Sequence, residues 1–227
     1  GALLWAMTWT ACGLKTRTDP PSAQASAAAF SLPSHTGETV SLEMDWSFVV
    51  PPSTGSFRQG TDGEVFYLGY WYPTVAVYDD VYGWHVDPYL GMGEHYLEFG
   101  DFEVSLDAPA DMLVYGTGAH VNAAEVLTER TRARLATALS SDEVVSVVGE
   151  GEHDGALVPS SDGRRVWRFV AEDVRDVALS ASAAYVWDAT RALVDRDEDG
   201  SATAAVLINR YYRPGTAAGN RSAEVSR

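Results

Sequence analysis

The chain has 227 residues, 46% of them hydrophobic, and this composition excludes wholesale disorder because it can bury a substantial core. Its 32 acidic residues outnumber its 16 basic residues, which gives a formal net charge of -16. This balance argues against nucleic acid, whose phosphates require Lys and Arg, and against an anionic membrane surface. We therefore expect one domain, with neither nucleic acid nor membrane among its partners.

The N-terminal segment, residues 1–29, is poorly defined. Residues 1–12 are apolar but fall short of the ~20 residues that a membrane-spanning helix needs. No positively charged leader precedes them, so we favour a strand or half-strand over the end of a signal peptide. Cys12 is the one cysteine, which rules out an intrachain disulfide. Residues 17–29 are small, polar and rich in proline and alanine, and we interpret them as a linker.

The first predicted strand spans residues 40–48, where apolar and polar residues alternate with a period of two. Pro51 and Pro52 end this strand because proline cannot donate to a ladder. Residues 53–63 are rich in glycine and predict a connection. Short strands follow at residues 66–68 and 75–78, which are aromatic and β-branched.

Turn residues divide the next part of the chain. Asp79, Asp80 and Gly83 predict turns. Around Gly100 and Asp101, two alternating runs predict a tight hairpin or one strand with a bulge. These runs are residues 95–99 and 102–106.

The C-terminal half contains one convincing helix. Leucines at near-helical spacing predict it from Thr128 to Leu139, with Thr128 as the cap. Propensity leaves residues 173–188 undecided between helix and strand. The remaining predicted strands are residues 112–115, 144–148, 166–170, 204–208 and 211–212. Taken together, these strands and the helix predict a mainly β fold of antiparallel or mixed sheets in a saddle or sandwich-like arrangement, with one short helix near residues 128–139.

No catalytic constellation emerges from the motifs. The zinc motif H-E-x-x-H and the nucleophile elbow G-x-S-x-G are both absent from the sequence. None of the five histidines lies four residues from another, and Glu94 and His95 are neighbours on a predicted strand, where successive side chains point to opposite faces. We therefore predict no catalytic, cofactor-binding or zinc-binding residue in this chain.

Two clusters contain chemistry-bearing residues. Asp195, Asp197 and Asp199, followed by Gly200, match the opening of a calcium loop, although Val206 stands where a bidentate Glu is expected. We favour a solvated hairpin tip over a weak calcium site. The other cluster places Asp79, Asp80 and Asp87 near Trp84 and His85. Aromatic residues beside carboxylates can bind sugars or cations, but we favour a structural interpretation.

A set of segments follows one colinear order over roughly residues 30–213: Trp71-Tyr72-Pro73, residues 76–80, Gly83-Trp84, residues 93–96, 99–104, 114–118 and 125–127, Trp167-Arg168-Phe169 with residues 172–178, and residues 185–188. In this order the segments resemble the N-terminal β-domain of the aminopeptidase N and leukotriene-hydrolase family of zinc metallopeptidases. The family's early strands have no counterpart in residues 1–29, which implies an incomplete sheet edge.

The resemblance implies a division into three parts: residues 1–29, a β-domain at 30–213 and a tail at 214–227 that leads to a catalytic domain outside this chain. It implies that zinc binds in that catalytic domain, that this domain is the partner of the chain, and that peptide substrates are met through it. It also implies a secreted or periplasmic location and no activity for the chain alone. The alternative is a stand-alone secreted β-module that binds carbohydrate or protein through aromatic residues between Tyr70 and Trp84.

Overall fold

The computed structural model describes residues 6–8, 44, 46–52, 58–86, 95–197 and 200–215. Within these residues the fold is mainly β, as predicted, with several antiparallel sheets and few helices. The strands are β1 (Ala6–Thr8), β2 (Gln59–Asp62), β3 (Val65–Leu68), β4 (Tyr78–Asp79), β5 (Gly83–Trp84), β6 (Gly100–Pro109), β7 (Leu113–Gly116), β8 (Ala119–His120), β9 (Val145–Val148), β10 (Arg164–Val174), β11 (Leu179–Ser182), β12 (Val186–Arg196) and β13 (Ala202–Tyr212). The helices are α1 (Ala123–Val126), α2 (Glu129–Ser140) and α3 (His153–Ala156). None of these helices has the length and apolar character needed to cross a bilayer.

Three larger sheets and one small hairpin organise these strands. The first sheet has the order β1-β6-β10-β8, the second β2-β3-β11-β7 and the third β13-β12-β9, while β4 pairs only with β5. The first sheet is mixed because β1 runs parallel to β6, and the other pairings between these strands are antiparallel. Pro52 also forms an isolated parallel bridge with Thr61 of β2. Buried side chains from all three larger sheets form one hydrophobic cluster, so the sheets share a core.

The ladder between β6 and β10 supplies the regular part of that core. Leu106 lies opposite Trp167, and Val104 lies opposite Phe169. All four side chains are buried, whereas the intervening residues of β10 are mostly exposed. Because side chains in a strand alternate between two faces, a period of two places one whole face of this pair in the core.

Gly116 at the end of β7 allows the second sheet to approach this core face. A Cβ atom at Gly116 would lie 2.8 Å from the ring of Phe169 and 3.0 Å from Leu179. Leu179 belongs to the neighbouring strand β11 and pairs with Gly116 itself. The close approach of the first and second sheets therefore depends on the missing side chain at this position.

Helix α2 confirms the predicted helix, but its capping differs from the prediction. Thr128 is the N-cap residue, yet its hydroxyl makes no capping bond to the helix. Instead the hydroxyl donates to the carbonyl oxygen of Gly155 or Ala156, at 3.0 and 3.2 Å. Thr131 also donates to Ala156, at 2.8 Å. The threonines therefore join the start of α2 to the end of α3, and this tertiary contact replaces the expected local cap.

The prediction of a strand at residues 40–48 is wrong in the part that the structure describes. Met44 and residues 46–48 have no regular secondary structure, and the other positions lie outside the described residues. Trp46 is instead held by its side chain, whose Nε1 donates to the carbonyl oxygen of Trp71 at 3.3 Å. A sequence in which apolar and polar residues alternate can therefore partly bury its apolar side chains without forming the backbone hydrogen bonds of a β-ladder.

Four further predictions need correction. Residues 59–62 form β2 rather than a connection, because Gly63, with φ 61°, makes a tight turn that pairs β2 with β3. Residues 95–99 form no strand, and β6 is one continuous strand from Gly100. Only Tyr78 of the predicted strand 75–78 lies in a strand. The last two predicted strands are one, β13.

The undecided segment at residues 173–188 is extended. It contains the end of β10, all of β11 and the start of β12. Strand β11 is paired on both sides, with β3 and with β7. The alanine-rich sequence permitted a helix, and these two sets of ladder hydrogen bonds stabilise the strand instead.

An ion pair fastens α2 to the loop between β9 and α3. Arg134 donates to both carboxylate oxygens of Glu152, at 2.5 and 3.2 Å, and also to the carbonyl oxygen of Val147 at 3.1 Å. The amide of Gly149 donates to the same carboxylate at 2.9 Å. The guanidinium and the amide together lower the pKa of Glu152 from 4.5 to about 2.

Gly116→Ala should destabilise the protein, because the added Cβ atom meets the ring of buried Phe169. Overpacking of this kind costs about 1–3 kcal/mol in the free energy of unfolding. Urea unfolding followed by circular dichroism measures the change. Gly100→Ala is the matched control, because its Cβ would make an ordinary 3.8 Å contact with Phe102. Equal stability of the two variants would contradict the proposed close approach.

Glu152→Gln should destabilise the protein at pH 7 by on the order of 1 kcal/mol, since both partners are about one-third exposed and solvent screens the pair. The carboxylate has a depressed pKa in the folded state, so its contribution is complete above pH 4.5 and is lost as pH falls toward 2. Urea midpoints of both proteins at pH 7, 4 and 3 should therefore converge at low pH. Glu150→Gln, an exposed neighbour, serves as the control; a difference independent of pH would refute the ion-pair explanation.

Candidate interaction surface

The β4–β5 hairpin is built by its turn residues. Asp79 lies opposite Gly83, so residues 80–82 form a three-residue loop. Gly83 has φ 79°, a left-handed conformation that glycine adopts without steric cost. Oδ1 of Asp79 accepts hydrogen bonds from the amides of Val81 at 2.9 Å and Tyr82 at 2.7 Å. An Asp that opens the turn and a Gly that closes it are the residues such a hairpin requires.

The aromatic run from Tyr70 to Trp84 divides into a buried part and an exposed part. Tyr72 is buried and donates from its hydroxyl to Asp176 at 2.9 Å. Burial first, and then the neighbouring Asp176 carboxylate, raises the pKa of Tyr72 far above its usual value. Trp71 donates from Nε1 to the carbonyl oxygen of Val177 at 3.0 Å. These two residues anchor the segment to the core, and the hairpin beyond them extends into solvent.

Four exposed rings and the half-buried ring of His85 form what we call the aromatic hairpin surface, consisting of Tyr78, Tyr82, Trp84, His85 and Tyr96. Tyr78, Tyr82 and Trp84 are 62%, 81% and 59% exposed, respectively. Tyr78 and Trp84 are cross-strand partners whose ring centroids lie 5.2 Å apart. His85 meets the ring of Tyr96 edge-on at 4.9 Å. Residues distant in sequence thus contribute to one aromatic surface.

Carboxylate groups lie on the same hairpin as these rings. Asp79 contacts Nε2 of His85 through its second oxygen. The amide of Tyr82 lowers the pKa of Asp79 most, and His85 lowers it further, so this carboxyl remains ionised in weak acid. Asp80 is exposed on the loop, and Asp87 lies outside the described residues. The structure therefore brings together Asp79, Trp84 and His85 of the cluster predicted from sequence.

The predicted calcium-loop candidates lie at the tip of the β12–β13 hairpin. Asp197 uses Oδ1 to accept the amide of Ser201 at 2.9 Å, and its backbone carbonyl accepts the amide of Gly200 at 3.0 Å. This arrangement is the tight turn expected of a hairpin tip. Asp199 and the side chain of Asp195 lie outside the described residues, so a calcium site at Asp195, Asp197 and Asp199 stays a prediction.

The described histidines lie in separate places. His85 belongs to the hairpin, His95 packs against the ring of Tyr70, and His120 stacks between Trp167 and Phe169. His153 contacts the carbonyl oxygen of Tyr185 beside a surface cleft of about 340 Å³. In the part of the chain that the structure describes, no three His, Cys, Asp or Glu side chains are grouped to hold a metal ion. Cys12, His35 and Glu94 lie outside that part.

The β12–β13 hairpin also has an unusual distribution of burial. Its base is buried, with Trp187 and Ala189 only 3% and 2% exposed. Farther out, Leu193 is 46% exposed and Val206 is 45% exposed. These two residues are one register step apart, so they lie on opposite faces. The distal hairpin therefore exposes apolar side chains on both faces, and we call Leu193, Val206 and Ile208 the ribbon arm.

No protein-family model, curated protein or solved structure matches the chain. Nothing in these comparisons identifies it as an aminopeptidase N domain. Its function must therefore be argued from its own residues and surfaces.

Sequence reasoning predicted turns at Asp79, Asp80 and Gly83 but not the β4–β5 hairpin itself. It grouped the aromatic residues from Tyr70 to Trp84 together, although Tyr72 belongs to the core and Trp71 packs against it. It also missed Tyr96, whose ring contacts the ring of His85 on the hairpin. A usable signal was present in the spacing of Asp79 and Gly83, which fixes a three-residue hairpin loop and so exposes the residues beside it.

Asp79→Ala should loosen the hairpin, because three acceptor contacts on one carboxylate are removed. We expect weaker nuclear Overhauser contacts between the rings of Tyr78 and Trp84, and faster exchange of the Val81 and Tyr82 amides with solvent. Asp80→Ala is the control, because it removes a neighbouring carboxylate from the same exposed loop. Retention of the ring contacts in the Asp79 variant would show that the carboxylate does not organise the turn.

Proposed function

We propose that the chain is the non-catalytic N-terminal β-domain of a zinc metallopeptidase, an aminopeptidase in the simplest case. Its role is to shape the substrate cleft of a catalytic domain encoded after it. The colinear resemblance over residues 30–213 motivates the proposal, and one structural observation supports it. That observation is the ribbon arm, a set of exposed apolar side chains on the hairpin whose second strand, β13, immediately precedes the proposed start of the catalytic domain.

The ribbon arm has the properties of a surface that another domain covers. Among the described strands, β13 pairs with β12 alone and so lies at the edge of its sheet. A two-stranded ribbon is marginally stable in water unless its apolar side chains are packed. Val206 and Ile208 lie two residues apart, so their side chains point to the same face of this strand, and both are exposed. A domain that packed on them would bury apolar area close to the junction between the two domains.

The chemistry in this proposal belongs to the catalytic domain. A zinc ion held there would polarise the scissile carbonyl and activate water. The proposal assigns no catalytic step to the residues of this chain. Their part is to hold the ribbon arm and the neighbouring sheets in a fixed arrangement against which a peptide substrate is bound. A secreted or periplasmic location belongs to the same proposal.

A second candidate is a stand-alone secreted β-module that binds carbohydrate or protein. The exposure of Tyr78, Tyr82 and Trp84 favours it, since large exposed aromatic groups mark binding surfaces. The coding sequence after Arg227 discriminates between the two candidates. A downstream H-E-x-x-H helix supports the peptidase domain, and a stop codon supports the module.

For the first proposal, we expect residues 1–227 alone to leave an aminoacyl-p-nitroanilide intact, whereas the longer product of the same gene cleaves it and loses activity in 1,10-phenanthroline.

Paired Val206→Glu and Ile208→Glu changes in the longer protein should lower kcat/KM several-fold and expose the junction to limited proteolysis, because charge disfavours burial of the ribbon arm. Val121→Glu is the control, because Val121 is an exposed valine in the turn between β8 and α1.

Two results would contradict this proposal. One is chelator-sensitive cleavage by residues 1–227 alone, which would place the reaction centre in this chain. The other is full activity and unchanged proteolysis in the ribbon-arm variant, which would mean that no domain packs there.

A further inference from the structure

The rings of the aromatic hairpin surface meet at steep angles. The planes of Tyr78 and Trp84 are inclined at 65°, those of Tyr82 and His85 at 78°, and those of His85 and Tyr96 at 89°. Such rings cannot offer one flat platform for stacking a sugar. They present faces and edges in several directions, which is the arrangement that surrounds a cationic group and attracts it through the negative ring faces.

The stretch of sequence that supplies these rings contains Asp and Glu but no Lys or Arg. No Lys or Arg occurs between Arg58 and Arg130, a segment that contains the whole hairpin and Tyr96. The carboxylates of Asp79 and Asp80 belong to the hairpin, and Glu98 is exposed on the segment that contacts it through Tyr96. The surface is therefore both aromatic and acidic, and it is complementary to a partner that is basic.

The protein contains examples of the same contact. The guanidinium of Arg175 lies over the ring of Phe99, 4.6 Å from its centroid, three residues from Tyr96. Arg58 lies over Tyr70 at 5.5 Å, at the start of the aromatic run. Both distances are within the range at which a cation is attracted to a ring face. Arginine therefore already packs on rings in the segments that flank the hairpin.

We propose that the aromatic hairpin surface docks a basic peptide segment of another protein, with Lys or Arg side chains held between the rings and beside the carboxylates. This inference goes beyond the proposed metallopeptidase domain, because it concerns a surface formed by other elements than the ribbon arm. A second copy of this chain is a poor occupant, since it would bring the same carboxylates against themselves.

The test is fluorescence anisotropy of a fluorescein-labelled hexa-arginine peptide with residues 1–227 in 150 mM salt, which screens long-range attraction to a protein of charge -16. Trp84→Leu leaves every charge in place and should weaken binding at least fivefold, which corresponds to about 1 kcal/mol. Asp80→Asn should weaken binding more than Asp111→Asn, an equal charge change on the exposed loop between β6 and β7. Tyr82→Leu, in the loop rather than in a strand, replaces the Trp84 variant if that variant has a lower melting temperature.

Four outcomes would overturn the proposal. Unchanged peptide binding in the aromatic variants would mean that net charge alone attracts the peptide. Equal effects of the Asp80 and Asp111 variants, or no binding by the wild-type protein, would remove the hairpin as the docking site. Binding of chitohexaose that is lost in Trp84→Leu, while peptide binding is unaffected, would identify the surface as a carbohydrate site.

Discussion

The close packing of Gly116 against Phe169 is the constraint on which the arrangement of the sheets depends. Phe169 is buried in the regular ladder between β6 and β10, and Gly116 ends a strand of the second sheet. Because no side chain separates them, the two sheets pack at a distance that lets Leu179 and Val114 join the same core. The third sheet contacts this core through Tyr211. The centroid of its ring lies 5.2 Å from that of Tyr115 on β7, and it stacks on Trp187 with the centroids 4.9 Å apart. One core thus fixes all three sheets.

Because the sheets share one core, the aromatic hairpin surface and the ribbon arm are informative about binding partners. The sheets bury enough aromatic and aliphatic side chains that the protein does not need the hairpin rings or the ribbon arm for its own packing. Both features are instead placed by polar contacts: the Asp79 carboxylate orders the hairpin loop, and ladder hydrogen bonds extend the ribbon. Apolar groups that are held in defined positions but left in water are suited to binding partners. The ribbon arm suits a neighbouring domain, and the acidic aromatic hairpin suits a basic segment.

The sequence predicted the parts of the fold that follow from local periodicity. Helix α2 and strands β3, β7 and β9 lie within one or two residues of their predicted positions. In the structure β10 begins before the predicted strand at 166–170, and Arg165 lies on its buried face. Its guanidinium donates to the carbonyl oxygens of Ala110 and Val158, and burial lowers its pKa. The sequence did not predict this burial, because only the folded chain supplies the carbonyl groups that make a buried cation tolerable.

By itself the sequence determined that the protein is mainly β, that it has one substantial helix, and that Asp79 and Gly83 form a turn, since each depends on residues close together along the chain. Tertiary structure decided which aromatic residues are buried, why Thr128 bonds to α3 rather than capping α2, and why residues 173–188 are extended. Those outcomes depend on partners distant in sequence, such as Asp176 for Tyr72 and β7 for β11. The physical reason is that burial and ladder pairing are properties of the assembled sheets, whereas turns and helical periodicity are properties of a short segment.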